Sequence, residues 1–397
     1  MQPSALSNSS LMVVYAKRSH RCGELAARAE QAGNLFDARD LRQQQQQDRE
    51  FALRYSEGLL GRGDVLDARA MVTRADLGVA VDKKAFYRVW QTLKPSPHRT
   101  YILIDAGKAF SAPEFFEEAV KVARQAGDLD ALAHGLLELE NTSVRELQQA
   151  VLMAQEAENP LLAARGLLYL WDAQQNWLYL EQAHAALAEF QEHELTLDSV
   201  VHFPEIERIY RTYIGELLDR GHHKKALDVS RGLTTTEVEN FLLADCFLPE
   251  EVGEFSGAIV RYLVLPEATW VFAIESGEIV ATHTINVSQV ELEHQVRQFF
   301  LKLTTYGDET FIRPAQELYD LLVRPVADRL DKPEQLIVVP DGALRTIPFS
   351  ALHDGDRFLV ERVALATSLS HTVHSERFTL RSGAFLGVPE HSELPSL

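Results

Sequence analysis

The pattern of apolar residues changes its period once along this chain, near residue 249. From residue 24 to residue 245, Ala, Leu, Glu, Gln and Arg dominate, and apolar side chains recur at steps of three and four. That spacing is typical of amphipathic helices. The breaks between the periodic runs, such as Gly127-Asp128 and Asn159-Pro160, are short. Since short turns make consecutive helices antiparallel neighbours, the pattern predicts stacked helical hairpins over residues 24–245.

A weak internal repeat supports the stacking. The segments ARQAGD at 123–128 and AQEAEN at 154–159 begin 31 residues apart, and each follows an apolar periodic run. Tetratricopeptide hairpins repeat at about 34 residues. We therefore expect a tetratricopeptide-like stack over 24–245, although a compact helical bundle also uses small residues at helix crossings. Residues 1–23 are expected to form a loose N-terminal segment.

Beyond residue 249 the chain favours strands. Three segments rich in β-branched and aromatic residues predict a meander, and two further apolar runs without polar alternation predict strands buried on both faces. Two helical segments lie between the two groups, so the predicted class is α plus α/β, a helical region followed by a parallel or mixed sheet with flanking helices. The predicted strands are 258–264, 269–274, 278–285, 336–339 and 384–388, and the predicted helices are 288–304 and 314–330.

Composition excludes several classes of function. The net charge of -19 would repel phosphate backbones, so a nucleic-acid partner is not expected. No stretch approaches the roughly 18 apolar residues of a membrane helix. The first apolar run, residues 11–16, is shorter than that of a signal peptide, and its positive charges, Lys17 and Arg18, follow it rather than precede it. We therefore expect a cytoplasmic protein. The two cysteines, Cys22 and Cys246, form no C-x-x-C pair. We therefore expect neither a disulfide framework nor a metal site, and without a phosphate loop or dinucleotide fingerprint no cofactor is expected.

One segment resembles a known family. Residues 336–352, LIVVPDGALRTIPFSAL, resemble the opening strand and turn of CHAT domains, caspase-like modules found behind tetratricopeptide repeats in bacterial proteins. Residues 318–326 and 354–361 are similar to the helix before that strand and the hairpin after it. Residues 385–390 resemble the next strand, and 236–246 the helix that links the repeats to the module. The resemblance implies that residues 250–397 are the N-terminal part of a CHAT domain.

Family members that cut peptides use a cysteine–histidine dyad, with the histidine in a His-Gly pair and the cysteine in Ser-Ala-Cys. The one His-Gly pair in this sequence is His134-Gly135, inside a predicted repeat helix, and neither cysteine follows an alanine. By this comparison the chain stops before the dyad, and no residue is expected to be catalytic.

Asp341 is the one candidate site residue. The pair Asp341-Gly342 is first of all a sequence that favours a turn at the end of a strand. It also follows a predicted parallel strand, and α/β folds place ligands at the carboxyl edge of such strands. Asp341 is therefore a candidate for a substrate cleft of the complete domain.

Other chemistry-bearing residues favour structural interpretations. Cys246 ends an apolar helix and is expected to be a buried core cysteine. His371 and His374 are three residues apart but have no third ligand at matching spacing, so they are expected to be solvated. The pair His353-Asp354 lies near Ser350, yet a nucleophile elbow of the form G-x-S-x-G is missing.

Three functional hypotheses remain open. The chain is a truncated CHAT peptidase whose cleavage of a peptide substrate is gated by the repeats. Alternatively it is a non-enzymatic scaffold whose helices bind partner proteins and whose α/β part is a docking surface. In the third hypothesis it is one half of a split peptidase, with the missing strands on another polypeptide.

Overall fold

The chain forms two compact units, Met1–Asp245 and Cys246–Leu397. The computed structural model describes residues 8–31, 35–191, 197–242, 257–305, 309–327, 329–330 and 334–369. In these ranges the first unit is helical and the second contains a five-stranded sheet with flanking helices, which confirms the predicted α plus α/β class. Within these ranges, no helix is at once long enough and apolar enough to span a bilayer.

The described part of the first unit contains twelve helices in succession. They are α1 (Asn8–Gln31), α2 (Leu35–Glu57), α3 (Val65–Asp76), α4 (Lys83–Thr92), α5 (Pro97–Ala109), α6 (Pro113–Ala126), α7 (Leu129–Leu137), α8 (Val144–Glu156), α9 (Pro160–Gln174), α10 (Leu178–Gln191), α11 (Leu197–Asp219) and α12 (His223–Leu242).

The repeated sequence segments, 123–128 and 154–159, each contain the end of one helix and the cap of the next. The first connects α6 to α7, and the second connects α8 to α9. Gly127 ends α6 in the left-handed conformation, with φ of 68°, and Glu158 adopts a similar φ of 52° after α8. The next residue caps the following helix: Asp128 accepts a hydrogen bond from Ala131 N and Asn159 accepts one from Leu162 N, both at 3.0 Å. These caps satisfy backbone donors that a helix start leaves without partners. The repeat is therefore a helix–turn–cap motif.

The helices stack mainly on their nearest neighbours. From α5 to α10 each helix packs against the next one in the chain, and α11 packs against α12. The odd-numbered helices also pack on one another in the order α3, α5, α7, α9 and α11. This one-dimensional order of contacts is that of stacked hairpins.

Glycines allow the close crossings of this stack. A Cβ at Gly107 of α5 would lie 2.4 Å from the ring of Phe116 in α6. At Gly135 of α7 it would lie 2.9 Å from a methyl group of Val120. Such distances are shorter than van der Waals contact, so the packing of these helices depends on the missing side chain.

The prediction that residues 1–23 are loose is wrong from residue 8 onward, because α1 begins at Asn8. The apolar run that begins at Leu11 supplies Met12, which is buried with Leu59 and Ala70. One turn later, Ala16 is buried with two residues of neighbouring elements. The buried face of this short run thus packs against residues of α2 and α3. This tertiary packing stabilises the helix.

The sheet of the second unit has the strand order β3-β2-β1-β4-β5. The predicted meander is confirmed as antiparallel pairing of β1 with β2 and β2 with β3, whereas β4 pairs parallel to both β1 and β5. The predicted strand at 384–388 lies outside the described residues. The strands are β1 (Ala258–Val264), β2 (Thr269–Glu275), β3 (Glu278–Ile285), β4 (Gln335–Val339) and β5 (Ala364–Thr367).

Helices cover one face of this sheet. They are α13 (Gln289–Leu303), α14 (Ile312–Leu322) and α15 (Arg324–Ala327). The helix predicted over 314–330 is divided at Val323, because Pro325 has no backbone donor to continue the pattern. Alternate residues of β1, including Val260 and Tyr262, join the core beneath these helices. Tyr262 also donates a hydrogen bond to Leu322 O at 2.9 Å.

Candidate functional site

Asp341 lies at the edge of the sheet where the parallel strands β1 and β4 both end. Its side chain is buried, with 5% exposed. One carboxylate oxygen, Oδ2, accepts a hydrogen bond from Val264 N at 2.8 Å. The other, Oδ1, accepts one from Gly342 N at 2.9 Å and lies 3.4 Å from the guanidinium of Arg345. Asp341 is therefore a carboxylate bridge between the ends of two strands.

These contacts give Asp341 a structural role. Both oxygens are engaged by groups of the protein itself, and a buried carboxylate needs such partners. The neighbouring Arg345 is more open to solvent than Asp341. The assignment of Asp341 to a substrate cleft stays a prediction.

His353 and Asp354 are both used to hold a turn. His353 Nδ1 accepts a hydrogen bond from Gly355 N at 3.0 Å, and its ring packs edge-on against Phe358. Asp354 pairs with Arg362 and accepts backbone hydrogen bonds from the following residues. Desolvation acts to raise the pKa of Asp354, but these hydrogen bonds and the Arg362 charge outweigh it and hold the pKa at about 2. The two residues thus stabilise a turn, and the Asp354 carboxylate forms an ion pair with Arg362.

The remaining sequence candidates are Cys22, His134, Cys246, His371 and His374. Cys246, His371 and His374 lie outside the described residues. Cys22 lies on α1, and His134 of the His-Gly pair lies on α7. In the ranges given above, no cluster of three or more His, Cys, Asp or Glu side chains could hold a metal ion.

Sequence reasoning missed a line of polar contacts across the odd-numbered helices of the first unit, which we call the polar ladder. It begins at Asp130 of α7, which accepts hydrogen bonds from Tyr101 of α5 and, at 2.7 Å, from Asn159 at the start of α9. The members of the polar ladder are Tyr101, Lys108, Asp130, Glu138, Asn159, Arg165, Asp172, Glu205 and Arg208.

The centre of the polar ladder is the Glu138–Arg165 pair. Glu138 lies 2.7 Å from Lys108 Nζ and 2.6 Å from Arg165 Nη2. Arg165 continues to Glu205 of α11 at 3.3 Å. Since Glu138 follows α7 and Arg165 belongs to α9, this chain of charges connects four successive odd-numbered helices. It supports their stacking and gives them one shared polar face.

Burial perturbs the ionisable groups of the polar ladder. Desolvation lowers the pKa of His134, which packs edge-on against Tyr101, to about 4. Desolvation also acts to lower the pKa of Arg165, but Glu205 and Glu138 outweigh it and raise the pKa. For Glu138 desolvation acts upward, and the charges of Arg165 and Lys108 bring the pKa below its ordinary value. The centre is therefore a partly dry, charged environment.

The rim of the polar ladder is accessible. Arg165 is only 8% exposed, whereas the side chains of Lys108 and Arg208 are 49% and 52% exposed. A buried charged centre with solvent-accessible charges on either side gives a rigid surface that can still contact a ligand. The signal in the sequence was a spacing of 29 residues between Tyr101, Asp130 and Asn159.

Comparison with known proteins bears on the second unit. Residues 312–395 match the CHAT domain family. No curated protein and no solved structure matches the chain. The matched segment contains α14, β4, the Asp341 bridge and β5, and it includes the segment that carries the resemblance noted in the sequence. The family similarity is thus confirmed for the C-terminal segment: residues 312–395 of this chain are similar to CHAT domains.

Proposed function

We propose that this protein is a scaffold in which a tetratricopeptide-like helical unit binds a partner protein and is coupled to a caspase-like CHAT module. The observation that carries the proposal is the polar ladder. Stacked hairpins present one face of successive helices as a continuous surface, and repeat proteins use such surfaces for binding. Here that face is charged, partly exposed and held in place by its own hydrogen bonds.

The regular spacing of the odd-numbered helices supports the likeness to tetratricopeptide repeats. Tyr101, Asp130 and Asn159 are successive members of one hydrogen-bonded row, near the starts of α5, α7 and α9. These three helices begin 32 and 31 residues apart, at Pro97, Leu129 and Pro160. A row of this kind arises when successive stacked hairpins present the same face. The period is shorter than the usual value of about 34 residues.

The chemistry of these 397 residues favours a docking role over peptide cleavage. A cysteine peptidase needs a thiolate with an imidazole in hydrogen-bond reach. The sequence contains no Ser-Ala-Cys, and its one His-Gly pair, at His134, is part of the packed helical stack. Asp341, at the sheet edge where a substrate would be expected, is engaged by backbone amides.

Partner binding is tested by reversing charges at the accessible rim. The full chain and the double variant Lys108→Glu/Arg208→Glu are immobilised and used to recover proteins from the native host, with quantitative mass spectrometry as the readout. We expect the double variant to lose the specific partners. The matched control is Lys121→Glu/Arg124→Glu on α6, which makes the same charge change on an even-numbered helix and should retain them. Equal recovery by both variants would reject the polar ladder as the docking surface.

The catalytic part is tested with the same full chain. A fluorogenic peptide library should show no turnover above that of a Cys22→Ala/Cys246→Ala variant. Turnover that depends on either cysteine would contradict the docking hypothesis and establish a peptidase.

A further inference from the structure

The hydrogen bond between Glu138 and Arg165 uses only one atom of each charged group. Nη2 of Arg165 donates to Oε1 of Glu138 at 2.6 Å, and the same Oε1 lies 2.7 Å from Lys108 Nζ. An arginine and a carboxylate often pair through two parallel hydrogen bonds. Here Nη1 of Arg165 and Oε2 of Glu138 form no hydrogen bond with any described residue. One donor group and one acceptor are therefore open at the centre of the polar ladder.

Both open atoms can be reached from solvent. The side chains of Arg165 and Glu138 are 9% and 13% exposed, and neither Nη1 nor Oε2 is fully buried. Nη1 is attached to the same carbon as Nη2, and Oε2 is attached to the same carbon as Oε1. The open donor and the open acceptor thus lie next to the two atoms of the 2.6 Å hydrogen bond. One small polar group can contact both.

Other contacts hold the guanidinium of Arg165 in place. Its Nε donates a hydrogen bond to Tyr169 Oη at 3.1 Å and lies 3.3 Å from the carboxylate of Glu205. Its Cζ lies 5.4 Å from the centre of the Tyr169 ring. Because residues of the chain itself supply these contacts, the direction of Nη1 is fixed before a ligand binds. Such preorganisation lowers the entropic cost of binding.

The charges around the Glu138–Arg165 pair are already balanced. Lys108 and Arg165 contribute two positive charges, and Glu138 and Glu205 contribute two negative ones. His134, one turn before Glu138, is neutral at neutral pH because desolvation lowers its pKa to about 4. A charged ligand group would add an uncompensated charge to these partly dry surroundings, which is unfavourable. The site therefore favours a neutral group that both donates and accepts hydrogen bonds.

The side-chain carboxamide of asparagine or glutamine is a group of this kind. Its oxygen can accept a hydrogen bond from Nη1 of Arg165, and its nitrogen can donate one to Oε2 of Glu138. A carboxylate has no donor for Oε2, and an ammonium group has no acceptor for Nη1. The two open atoms thus select a carboxamide over the charged side chains of a polypeptide.

We propose that the Glu138–Arg165 pair recognises an asparagine or glutamine side chain of the partner polypeptide. The proposal rests on the docking function given above and adds the chemistry of the ligand at the centre of the polar ladder. It gives Arg165 and Glu138 a role in selecting the partner, in addition to the contact they make between α9 and the end of α7.

The test uses the full chain and an array of nonapeptides in which each position is varied in turn. Fluorescence anisotropy then measures the affinity of the retained peptides. We expect these peptides to carry Asn or Gln at one position and to bind about tenfold more tightly than versions with Leu there. Arg165→Lys keeps the positive charge but has a single nitrogen, so it should reduce that ratio toward one. The control, Glu117→Gln, changes an exposed carboxylate on α6 and should leave the ratio unchanged.

The variant Glu138→Gln separates recognition from damage to the fold. It removes one negative charge and lets residue 138 present an amide N–H to the ligand. The preferred residue of the peptide should therefore shift from Asn or Gln to Asp or Glu, and an unfolded variant could not acquire a new preference. Peptides retained without a preference for Asn or Gln would overturn the proposal. An unchanged preference in Glu138→Gln, or the parent ratio in Arg165→Lys, would overturn it too.

The array and the recovery of partners together distinguish this proposal from the docking function. If the array retains no peptide while the charge reversal at Lys108 and Arg208 still abolishes recovery of partners, the carboxamide proposal alone fails. If that charge reversal has no effect either, the docking function fails with it.

Discussion

The carboxylate of Asp341 accepts a hydrogen bond from Val264 N at 2.8 Å and so joins the carboxyl ends of β4 and β1. The two residues are 77 positions apart, yet their strands lie side by side in parallel. A buried, charge-assisted bond of this kind is stronger than one between neutral groups. The bond thus stabilises the sheet at β1, the strand that pairs antiparallel with β2 on one side and parallel with β4 on the other.

Replacing Asp341 by alanine should destabilise the second unit. The change removes the acceptor of the Val264 bond and of the Gly342 bond, and we expect the free energy of unfolding to fall by about 1–3 kcal/mol. Urea unfolding followed by tryptophan fluorescence measures it. Glu334→Ala, an exposed carboxylate just before β4, is the control and should change stability by less than about 0.5 kcal/mol. Equal free energies of unfolding for the two variants would show that the Asp341 bridge does not contribute to stability.

Replacing Arg165 by methionine should destabilise the helical unit. The variant leaves the half-buried Glu138 with Lys108 as its remaining cation. Breaking a fully buried ion pair costs about 3–5 kcal/mol, and we expect about 2–3 kcal/mol here because Lys108 remains. Arg208→Met changes an exposed member of the same polar ladder and should cost less than about 1 kcal/mol. Urea unfolding followed by circular dichroism compares them. A larger effect at Arg208 would place the centre of the ladder elsewhere.

The helical unit should lose stability between pH 7 and pH 5 because of His134. Its folded-state pKa is about 4 against an ordinary value of 6.5. Between these values the unfolded chain binds a proton and the folded chain does not, so the contribution is complete above pH 6.5 and is lost as the pH falls. We expect a loss on the order of 2 kcal/mol. His134→Phe should reduce the pH dependence measured by urea unfolding and leave the part due to His184, whose pKa burial also lowers. The control variant is His222→Gln, at an exposed position.

Gly107→Ala should destabilise the stack although alanine favours helices by about 1 kcal/mol. The new Cβ would lie 2.4 Å from the ring of Phe116, and overpacking of this kind costs about 1–3 kcal/mol. Gly58→Ala, just after the end of α2, is the control, because a Cβ there meets nothing within 4 Å. That variant should be neutral or slightly stabilised in a thermal melt. A stabilised Gly107→Ala would mean that the helices can separate without loss.

Local patterns in the sequence predicted most of the strands. The apolar runs of β1 and β4 gave those strands to within a residue, because a strand buried on both faces leaves a continuous signal. By contrast β5 (Ala364–Thr367) is short and only half buried. It has no pattern of its own and is ordered by pairing with β4.

The site features that sequence reasoning missed depend on contacts between distant residues. Arg165 meets Glu138 across 27 positions, and neither residue stands out from the polar positions of an amphipathic helix. The Asp-Gly pair at Asp341 predicted a turn, but the neighbouring sequence does not indicate that Val264 N donates a hydrogen bond to its carboxylate. The part of α1 before residue 24 was missed for the same reason, since Met12 is buried with Leu59 and Ala70, which are distant in sequence. The local spacing of apolar residues cannot identify partners that are distant in sequence.

The central place of β1 in the sheet also determines the order in which the second unit can fold. Residues 258–285 can close their two hairpins as soon as they are synthesised, because those pairings are local. The other edge of β1 must wait until β4 emerges from the ribosome, and pairings between such distant segments form slowly. During that interval a strand whose seven residues are all buried in the finished fold lies open along one side, and an unpaired apolar strand edge promotes aggregation.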